Sequence, residues 1–379
     1  MGVLRLLLAL SVVNAHGYDL SGNNLFGFPM LLPDLAVQTF YMISGFYMAL
    51  VLHEKYQPGN ATYLEFITNR FLRIFPSYFV VLLLTIIVLA IGWHYGMQHR
   101  NFMLWSQNWL QLDWTAKFFL VFSHAALFGQ DAYLFLALDK NGTLYFDPDF
   151  STHNNEFWEF MLIPQAWSLS LELCFYLLAP FLVRRSAALL ALMIVASLTI
   201  RIALIFWLGY KNDPWAYRFF PSELALFLCG AAAYRVYRAL LTGKMDVKTW
   251  IGWSALGIVA SIALLVSRYP GETVIWLNVS FVVAVILIMP FLFKFTRRSK
   301  IDHFAGELSY PIYLCHMLVI WLFALMQIPQ GIELSVSILL ATLLLSIILY
   351  WGIDRNVDQF RHQKFAAAHT RNSEDRKKS

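Results

Sequence analysis

Two ionisable residues in the first apolar segment of the chain are the first candidates for chemistry. Arg5 and His16 flank the apolar run 6–13, which would otherwise be an ordinary membrane or signal segment. Because an ionisable side chain inside a membrane span is costly and rare, each is a functional candidate by default. Eleven residues of helix would separate them by roughly 16 Å, more than half of a hydrocarbon core of about 30 Å. This arrangement suits a reaction that draws its donor from one side of a membrane.

A pair of arginines, Arg70 and Arg73, comes just before another apolar segment. Residues three apart share one face of a helix, so the two guanidinium groups could hold phosphates through bidentate hydrogen bonds. A basic anchor at the cytoplasmic end of a span would need the same residues. Taken alone, the two arginines favour a basic membrane anchor over a phosphate site.

A carboxylate, Glu172, lies six residues inside a predicted span, where it is expensive unless it is paired or protonated. It could orient His16 or pair with an arginine, and a structural ion pair would explain it equally well. Further polar residues fall within apolar segments, and together they are too many for a passive bundle: Ser44, Arg201, Glu223 and His316.

The composition indicates a membrane protein with many spans. Hydrophobic residues make up 59% of the 379 residues and charged residues 13%, against roughly 25% charged in soluble domains. Spans and short connections use nearly the whole chain, which leaves no room for a second soluble domain of ordinary size. The three cysteines fall in apolar runs and indicate packing residues rather than a disulfide framework or a zinc site.

The apolar segments predict an all-α, polytopic bundle of about ten transmembrane helices. One membrane domain, 1–354, would be followed by a basic cytoplasmic tail, 355–379, which is polar enough to be disordered. The ten segments are 3–20, 32–52, 75–93, 166–183, 186–208, 219–240, 250–267, 273–293, 303–326 and 333–353.

The basic residues predict the orientation of the bundle. Lysine and arginine concentrate in the tail and in alternate loops, near 55–73, 184–185, 235–248 and 294–300. Because cytoplasmic loops carry the basic excess, both termini are predicted to be cytoplasmic. A spanning segment at 116–136 would put half of these loops outside. We therefore expect an interfacial or re-entrant helix there, within an external loop at 94–165.

Neither nucleotide chemistry nor a metal site is indicated. The chain has no Gly-x-x-x-x-Gly-Lys-Ser/Thr phosphate loop and no Gly-x-Gly-x-x-Gly followed by an acidic residue. Histidine spacings such as that of His94 and His99 match no helical metal pair, so no metal and no permanently bound cofactor are expected. The basic residues of the predicted cytoplasmic loops and tail explain the formal charge of +5. Nucleic acid is therefore not an expected partner.

Five short motifs follow one another along most of the chain. They are Arg5 with His16, Ser-Gly-Phe at 44–46, the paired arginines before Ile-Phe-Pro-Ser-Tyr at 74–78, Trp-Ser-Leu-x-x-Glu-x-x-Phe-Tyr at 167–176, and Ser-Tyr-x-x-Tyr-Leu-x-His at 309–316. This ordered set resembles the membrane acyltransferase-3 family, which includes bacterial enzymes that acetylate O-antigens and other surface glycans. The resemblance also implies that the first segment is retained, although 13–15 alone would fit a signal-peptide cleavage site.

The resemblance implies an acyl-CoA donor, acetyl-CoA by default, that enters from the cytoplasm, and an acceptor hydroxyl at the outer side. His16 matches the essential histidine of the family, Arg5 its partner arginine, and Arg70 and Arg73 the paired arginines that serve the donor. The chain departs from the family at Gln38, where many members carry an acidic residue.

These inferences together predict a membrane O-acyltransferase of the bacterial cytoplasmic membrane. His16 would act as general base, with an acyl-histidine intermediate as the open alternative, and Glu172 would fix its tautomer. Arg5, Arg70 and Arg73 would bind the donor. The expected partners are acyl-CoA, a glycan or lipid-linked saccharide acceptor and membrane lipids. The acceptor, the acyl chain length and the oligomeric state are not determined by the sequence.

A carrier or flippase is the alternative function. It would move a lipid-linked sugar or another anionic substrate without covalent chemistry, past the buried arginines, Glu172 and His316. The two hypotheses differ for a His16→Ala protein that still folds and inserts. An acyltransferase would lose modification of the glycan, whereas a carrier would largely retain its flux.

Overall fold

The computed structural model of the chain describes residues 1–25, 27, 30–56, 62–96, 100–150, 157–210, 213–215, 217–241, 249–268 and 275–364. Part of a predicted basic loop, 242–248, and most of the predicted tail, 365–379, lie outside these residues. Twelve α-helices form within them: α1 (Gly2–Ser21), α2 (Pro33–Glu54), α3 (Tyr63–His94), α4 (Arg100–Asn108), α5 (Trp114–Ala126), α6 (Ala166–Leu182), α7 (Ala187–Phe206), α8 (Phe220–Val236), α9 (Thr249–Arg268), α10 (Ile275–Thr296), α11 (Lys300–Leu325) and α12 (Ile332–Leu349).

The predicted helical membrane bundle is confirmed. Each of the ten predicted segments coincides with a helix, and eight helices of the described part are long and apolar enough to cross a membrane. The other two, α6 and α8, have 17 residues each, which is near the lower limit of about 17 for a span. A π-helical turn, Tyr237–Leu241, extends α8.

The described part of the predicted external loop, 94–96, 100–150 and 157–165, contains short elements instead of a span. Helix α5 has 13 residues and ends at Leu127, whose φ is 52°. A 3-10 helix, Gln130–Phe135, and an antiparallel ribbon of β1 (Leu136–Leu138) and β2 (Leu144–Phe146) follow. At about 1.5 Å per residue, α5 is too short to cross a core of about 30 Å. Its placement as an interfacial or re-entrant helix stays a prediction.

The chain remains helical beyond the predicted end of the membrane domain. A π-helical turn, Tyr350–Asp354, continues α12, and the helix runs on to Lys364. Residues 355–364, which the composition placed in a disordered tail, are therefore ordered. Contacts with α3 explain the difference, because the Ser77 hydroxyl donates to Asp354 and the Arg361 guanidinium donates to Asn69.

Glycines allow two helix pairs to approach closely. A Cβ atom on Gly45 in α2 would lie 1.8 Å from the carbonyl oxygen of Phe227 in α8. A Cβ atom on Gly230 in α8 would lie 1.8 Å from the carbonyl oxygen of Met42 in α2. Similarly, a Cβ on Gly2 in α1 would lie 1.6 Å from the carbonyl oxygen of Asp302 in α11. Small residues bring membrane helices into backbone contact. The glycine of the Ser-Gly-Phe motif therefore serves helix packing.

Helices α2 and α11 occupy the centre of the bundle. In the most apolar 18-residue stretch of each helix, 72% is buried, compared with 17% in the corresponding stretch of α7. A helix that is apolar all round and largely exposed, such as α7, is suited to contact with lipid. Polar residues within α2 and α11, such as Gln38, Thr39 and His316, consequently lie inside the protein.

Candidate active site

Two histidines meet where α1 packs against α11. The Nδ1 atom of His16 lies 2.9 Å from Nε2 of His316, and the two ring planes are within 3° of each other. The other ring nitrogen of His316, Nδ1, lies 2.7 Å from the carbonyl oxygen of Tyr313. Both helices begin on the predicted cytoplasmic side, and the histidines lie roughly 20 to 25 Å along them, in the outer half of the bundle.

These contacts fix the tautomers of a neutral histidine pair. A carbonyl oxygen only accepts, so Nδ1 of His316 donates to Tyr313 and its Nε2 carries a lone pair. That lone pair accepts a hydrogen bond from Nδ1 of His16. The Nε2 atom of His16 is then the unprotonated nitrogen, which is the form required of a base. His316 therefore holds His16 in one tautomer and one orientation.

Helix α6 supports the histidine pair through the residues at its start. The side-chain amide of Gln165 donates to the carbonyl oxygen of Leu314 over 2.6 Å. The hydroxyls of Ser168 and Tyr313 lie 2.7 Å apart, and the ring of Tyr313 is 5.9 Å from that of His316. The backbone segment that orients His316 is thus held by a second helix.

A cavity of about 450 Å³ opens toward the predicted cytoplasmic side. It extends inward as far as Phe40, Ser168 and Tyr313, directly beside the histidine pair. Among the described residues, six that line it are permanently cationic and four are carboxylates. These lining residues are Arg5, Lys55, Arg70, Arg73, Arg297 and Arg361, and Glu172, Asp302, Glu307 and Asp358.

The three arginines predicted to bind a donor all line this cavity, in different environments. Arg73 in α3 forms an ion pair with Glu307 in α11 at 3.4 Å. Arg70 is only 8% exposed, and its Nε has no hydrogen-bond partner in the part of the chain that is described. Arg5 lies near Gly306 of α11, because its Nη1 would be 3.7 Å, an ordinary contact distance, from a Cβ atom built there.

A capping box sets the register of the paired arginines. The Thr62 side chain accepts from the backbone of Glu65, whose carboxylate in turn accepts from the backbone N–H of Thr62. Such a reciprocal cap starts a helix at a defined residue. Arg70 and Arg73 consequently lie in the second and third turns of α3, at its predicted cytoplasmic end.

Glu172 lines the cavity but does not contact His16. Its Oε1 accepts hydrogen bonds from the hydroxyls of Ser44 and Tyr176. The expectation that Glu172 fixes the tautomer of His16 is not supported by these contacts, since His316 occupies that position. Ser44 belongs to the Ser-Gly-Phe motif and Tyr176 to the Trp-Ser-Leu motif, so Glu172 connects two of the motifs recognised in the sequence.

An aromatic and charged cluster lies on the predicted outer side. The Nε of Arg218 donates to both carboxylate oxygens of Asp213 over 2.7 Å, and its guanidinium carbon lies 4.3 Å from the Trp167 ring centroid and 5.1 Å from that of Tyr217. Burial raises the pKa of Asp213, an effect that Arg218 partly offsets. Trp167 directly precedes Ser168, so this cluster adjoins the residues that support the histidine pair.

A carboxylate lies beside Gln38, where the sequence lacks the expected acidic residue. Glu223 in α8 is completely buried, and its Oε1 accepts from Gln38 over 3.4 Å and from Arg201 over 2.6 Å. Gln38 and Glu223 are 185 residues apart. Nothing in the local sequence around either one indicates the other.

Comparisons with known proteins identify a family for the chain. A family model described as an acyltransferase domain matches residues 1–351, which include both histidines. A protein of Aquifex aeolicus (strain VF5) that is named only as uncharacterized is 24% identical over 220 residues, which cover 53% of this chain and 90% of that protein. No solved structure matches the chain.

Proposed function

The chain belongs to the acyltransferase family whose domain model it matches, and we propose that it moves an acyl group from cytoplasmic acyl-CoA to a hydroxyl of a glycan on the outer side. It is an integral, multi-pass membrane protein. The proposed acyl group is acetyl, the acceptor a cell-surface or lipid-linked saccharide, and the location the bacterial cytoplasmic membrane. The hydrogen-bonded histidine pair beside the inner end of the cavity, where Tyr313 lies 5.9 Å from the His316 ring, carries this proposal.

The cavity is the proposed site for the donor. Its volume of about 450 Å³ lies within the range of roughly 300 to 1,000 Å³ that is usual for ligand pockets. In acyl-CoA the phosphates lie at the opposite end of the pantetheine arm from the thioester. We place the phosphates near Arg70 and Arg73, and the thioester farther in, near Tyr313, whose ring lies 5.9 Å from that of His316. Arg5 would contact the donor between these two ends.

The proposed reaction uses His16 as a general base. Its Nε2 takes the proton of the acceptor hydroxyl while that oxygen attacks the thioester carbonyl carbon. The carbon–sulfur bond breaks, and the CoA thiolate takes the proton from the His16 imidazolium, which yields an ester and free CoA. The hydrogen bond from Nδ1 of His16 to His316 persists in both protonation states. Attack by the same Nε2 to form an acyl-histidine is the alternative route.

Purified protein in lipid nanodiscs with radiolabelled acetyl-CoA tests this proposal. The assay follows CoA release and the transfer of label to a panel of saccharides and lipid-linked saccharides. We expect His16→Ala to abolish transfer and His94→Ala, which removes an exposed histidine at the end of α3, to leave it unchanged. An intact protein that neither binds acetyl-CoA nor turns it over would contradict the proposal and favour a carrier.

A further inference from the structure

The helix that continues α12 brings an arginine back to the donor cavity. From Ile332 to Lys364 it has 33 residues, which at about 1.5 Å each exceed a hydrocarbon core of about 30 Å. Its last turns therefore extend beyond the membrane on the predicted cytoplasmic side. Asp354, Asp358 and Arg361 are spaced by four and three residues, so they lie on one face of this extension.

This face is fixed against α3 by polar contacts. Asp354 accepts a hydrogen bond from Ser77, and Nε of Arg361 donates to the side-chain oxygen of Asn69 over 2.6 Å. The Arg361 guanidinium also pairs with Asp358 at 2.7 Å. Arg361 is only 9% exposed, although it lies near the end of a helix outside the membrane. The extension thus closes one side of the cavity mouth.

Three guanidinium groups are brought together at this mouth. Arg361 lines the cavity with Arg70 and Arg73. Burial, together with the positive charges of Arg73 and Arg70, lowers the pKa of Arg361. Like charges held together in a poorly hydrated place raise the energy of the folded chain unless an anion compensates them. Two of the three already have a carboxylate partner, Glu307 for Arg73 and Asp358 for Arg361. Arg70 retains a buried Nε without a partner among the described residues.

We infer that Arg361 joins Arg70 and Arg73 in binding the phosphates of the donor. The inference rests on the proposed function, since it assigns a new residue to the proposed acyl-CoA site. A guanidinium has five N–H groups, and the contacts with Asn69 and Asp358 hold Arg361 by two of its nitrogens. The remaining N–H groups are available to a phosphate. Arg361 lies beyond residues 1–351, which the family model matches.

The chain offers a matched control on the same helix. Arg355 lies six residues earlier, is exposed, and stacks on the Trp351 ring at 4.4 Å, away from the residues that line the cavity. Arg355→Gln and Arg361→Gln therefore remove the same charge from the same helix at different positions. A second variant, Arg361→Lys, keeps the charge and loses the planar guanidinium.

Two donors distinguish phosphate binding from a structural role. The full-length protein in nanodiscs is assayed with acetyl-CoA and with acetylpantetheine, which has the same thioester and no phosphate. We expect Arg361→Gln to lower kcat/KM for acetyl-CoA about 10- to 100-fold, through KM, and to change the value for acetylpantetheine less than about twofold. Arg361→Lys should recover part of the loss, and Arg355→Gln should behave as the wild type.

Other outcomes overturn the inference in distinguishable ways. Equal losses with both donors would mean that Arg361 only holds the helix in place. An unchanged kcat/KM for acetyl-CoA in Arg361→Gln would mean that the residue does not bind the donor, with the proposed function intact. A wild-type protein that uses neither donor would overturn the proposed function and this inference together.

Discussion

The pair of helices α1 and α11 carries two sets of polar residues with opposite character. At the inner level, Arg5 on α1 and Glu307 on α11 line an open cavity that is rich in fixed charges. At the outer level, His16 and His316 form a hydrogen-bonded pair of rings that is neutral when it acts as a base. The two levels are roughly 16 Å apart along α1. In the proposed function, the same helix contact supports charge-based binding at one end and proton transfer at the other.

The difference follows from where charge can be placed in a membrane. Guanidinium groups are less costly near the predicted cytoplasmic end, where the cavity has room for water and for the proposed anionic donor. Deeper in the bundle an ionised group is more costly, whereas a neutral imidazole carries no charge and still offers a lone pair. We therefore expect variants at the inner level to affect donor affinity, and variants at the outer level to affect the rate of transfer.

The largest expected effect comes from the base itself. His16→Ala should lower the rate of acetyl transfer by about 10²- to 10⁴-fold, which is the usual contribution of general acid–base catalysis, or more if the histidine is acylated. Its Kd for acetyl-CoA should remain within about twofold of the wild type, because the ligand-binding charges are unchanged. Rates and equilibrium binding measured on the same preparation check both values. A comparable loss of binding would abolish the distinction between the two levels.

The next effect concerns the residue that orients the base. His316→Leu removes the acceptor of the His16 Nδ1–H and should lower the rate about 10- to 100-fold, which corresponds to a hydrogen bond of about 1.5 to 3 kcal/mol to a charged group. His316→Gln supplies an amide oxygen as acceptor and should recover part of the rate, with an altered pH–rate profile. Identical losses in the two variants, with an unchanged profile, would indicate that His316 serves packing alone.

A smaller effect is expected at the inner level. Arg70→Gln should raise the Kd for acetyl-CoA about tenfold and leave the rate at saturating donor nearly unchanged, because a charged contact to phosphate is lost before the chemical step. Equilibrium titration and steady-state kinetics measure the two quantities. If Arg70→Gln slowed the saturated rate as much as His16→Ala does, Arg70 would belong to the chemistry rather than to binding.

The smallest effect is on stability alone. Gly45→Val forces a side chain into the backbone of α8 and should destabilise the bundle by about 1 to 3 kcal/mol. Gly257→Val in α9 is the control, since a Cβ there would meet no atom within 4 Å. Thermal unfolding in detergent should give a lower Tm for the first variant only. Equal Tm values for the two variants would show that α2 and α8 are not in close backbone contact at Gly45.

The sequence predicted the helical bundle, because apolar run length is a local property. The resemblance grouped Arg5, Arg70 and Arg73 as donor-binding residues, and all three line one cavity. Glu172, which was expected beside His16, lines that cavity as well. The sequence did not pair His16 with His316, since the two are 300 residues apart. The depth of each histidine in its span was an available signal, because both lie a similar number of residues from the predicted cytoplasmic side.

The helix beyond residue 354 was missed for another reason. Its polar composition favoured disorder when judged as an average. The spacing of Asp354, Asp358 and Arg361 on one helical face was the informative feature, yet its meaning depends on Ser77 and Asn69 in α3. Composition thus did not indicate that the helix continues to Lys364.

Transfer across the membrane is the central claim, and proteoliposomes of known orientation test it most directly. Labelled acetyl-CoA is supplied only on the side of the Arg70 cavity, and saccharide or lipid-linked saccharide acceptors only on the opposite side. We predict label on the opposite acceptors with the wild-type protein and none with His16→Ala. Transfer only when donor and acceptor share one side, or transfer that survives His16→Ala, would contradict the account.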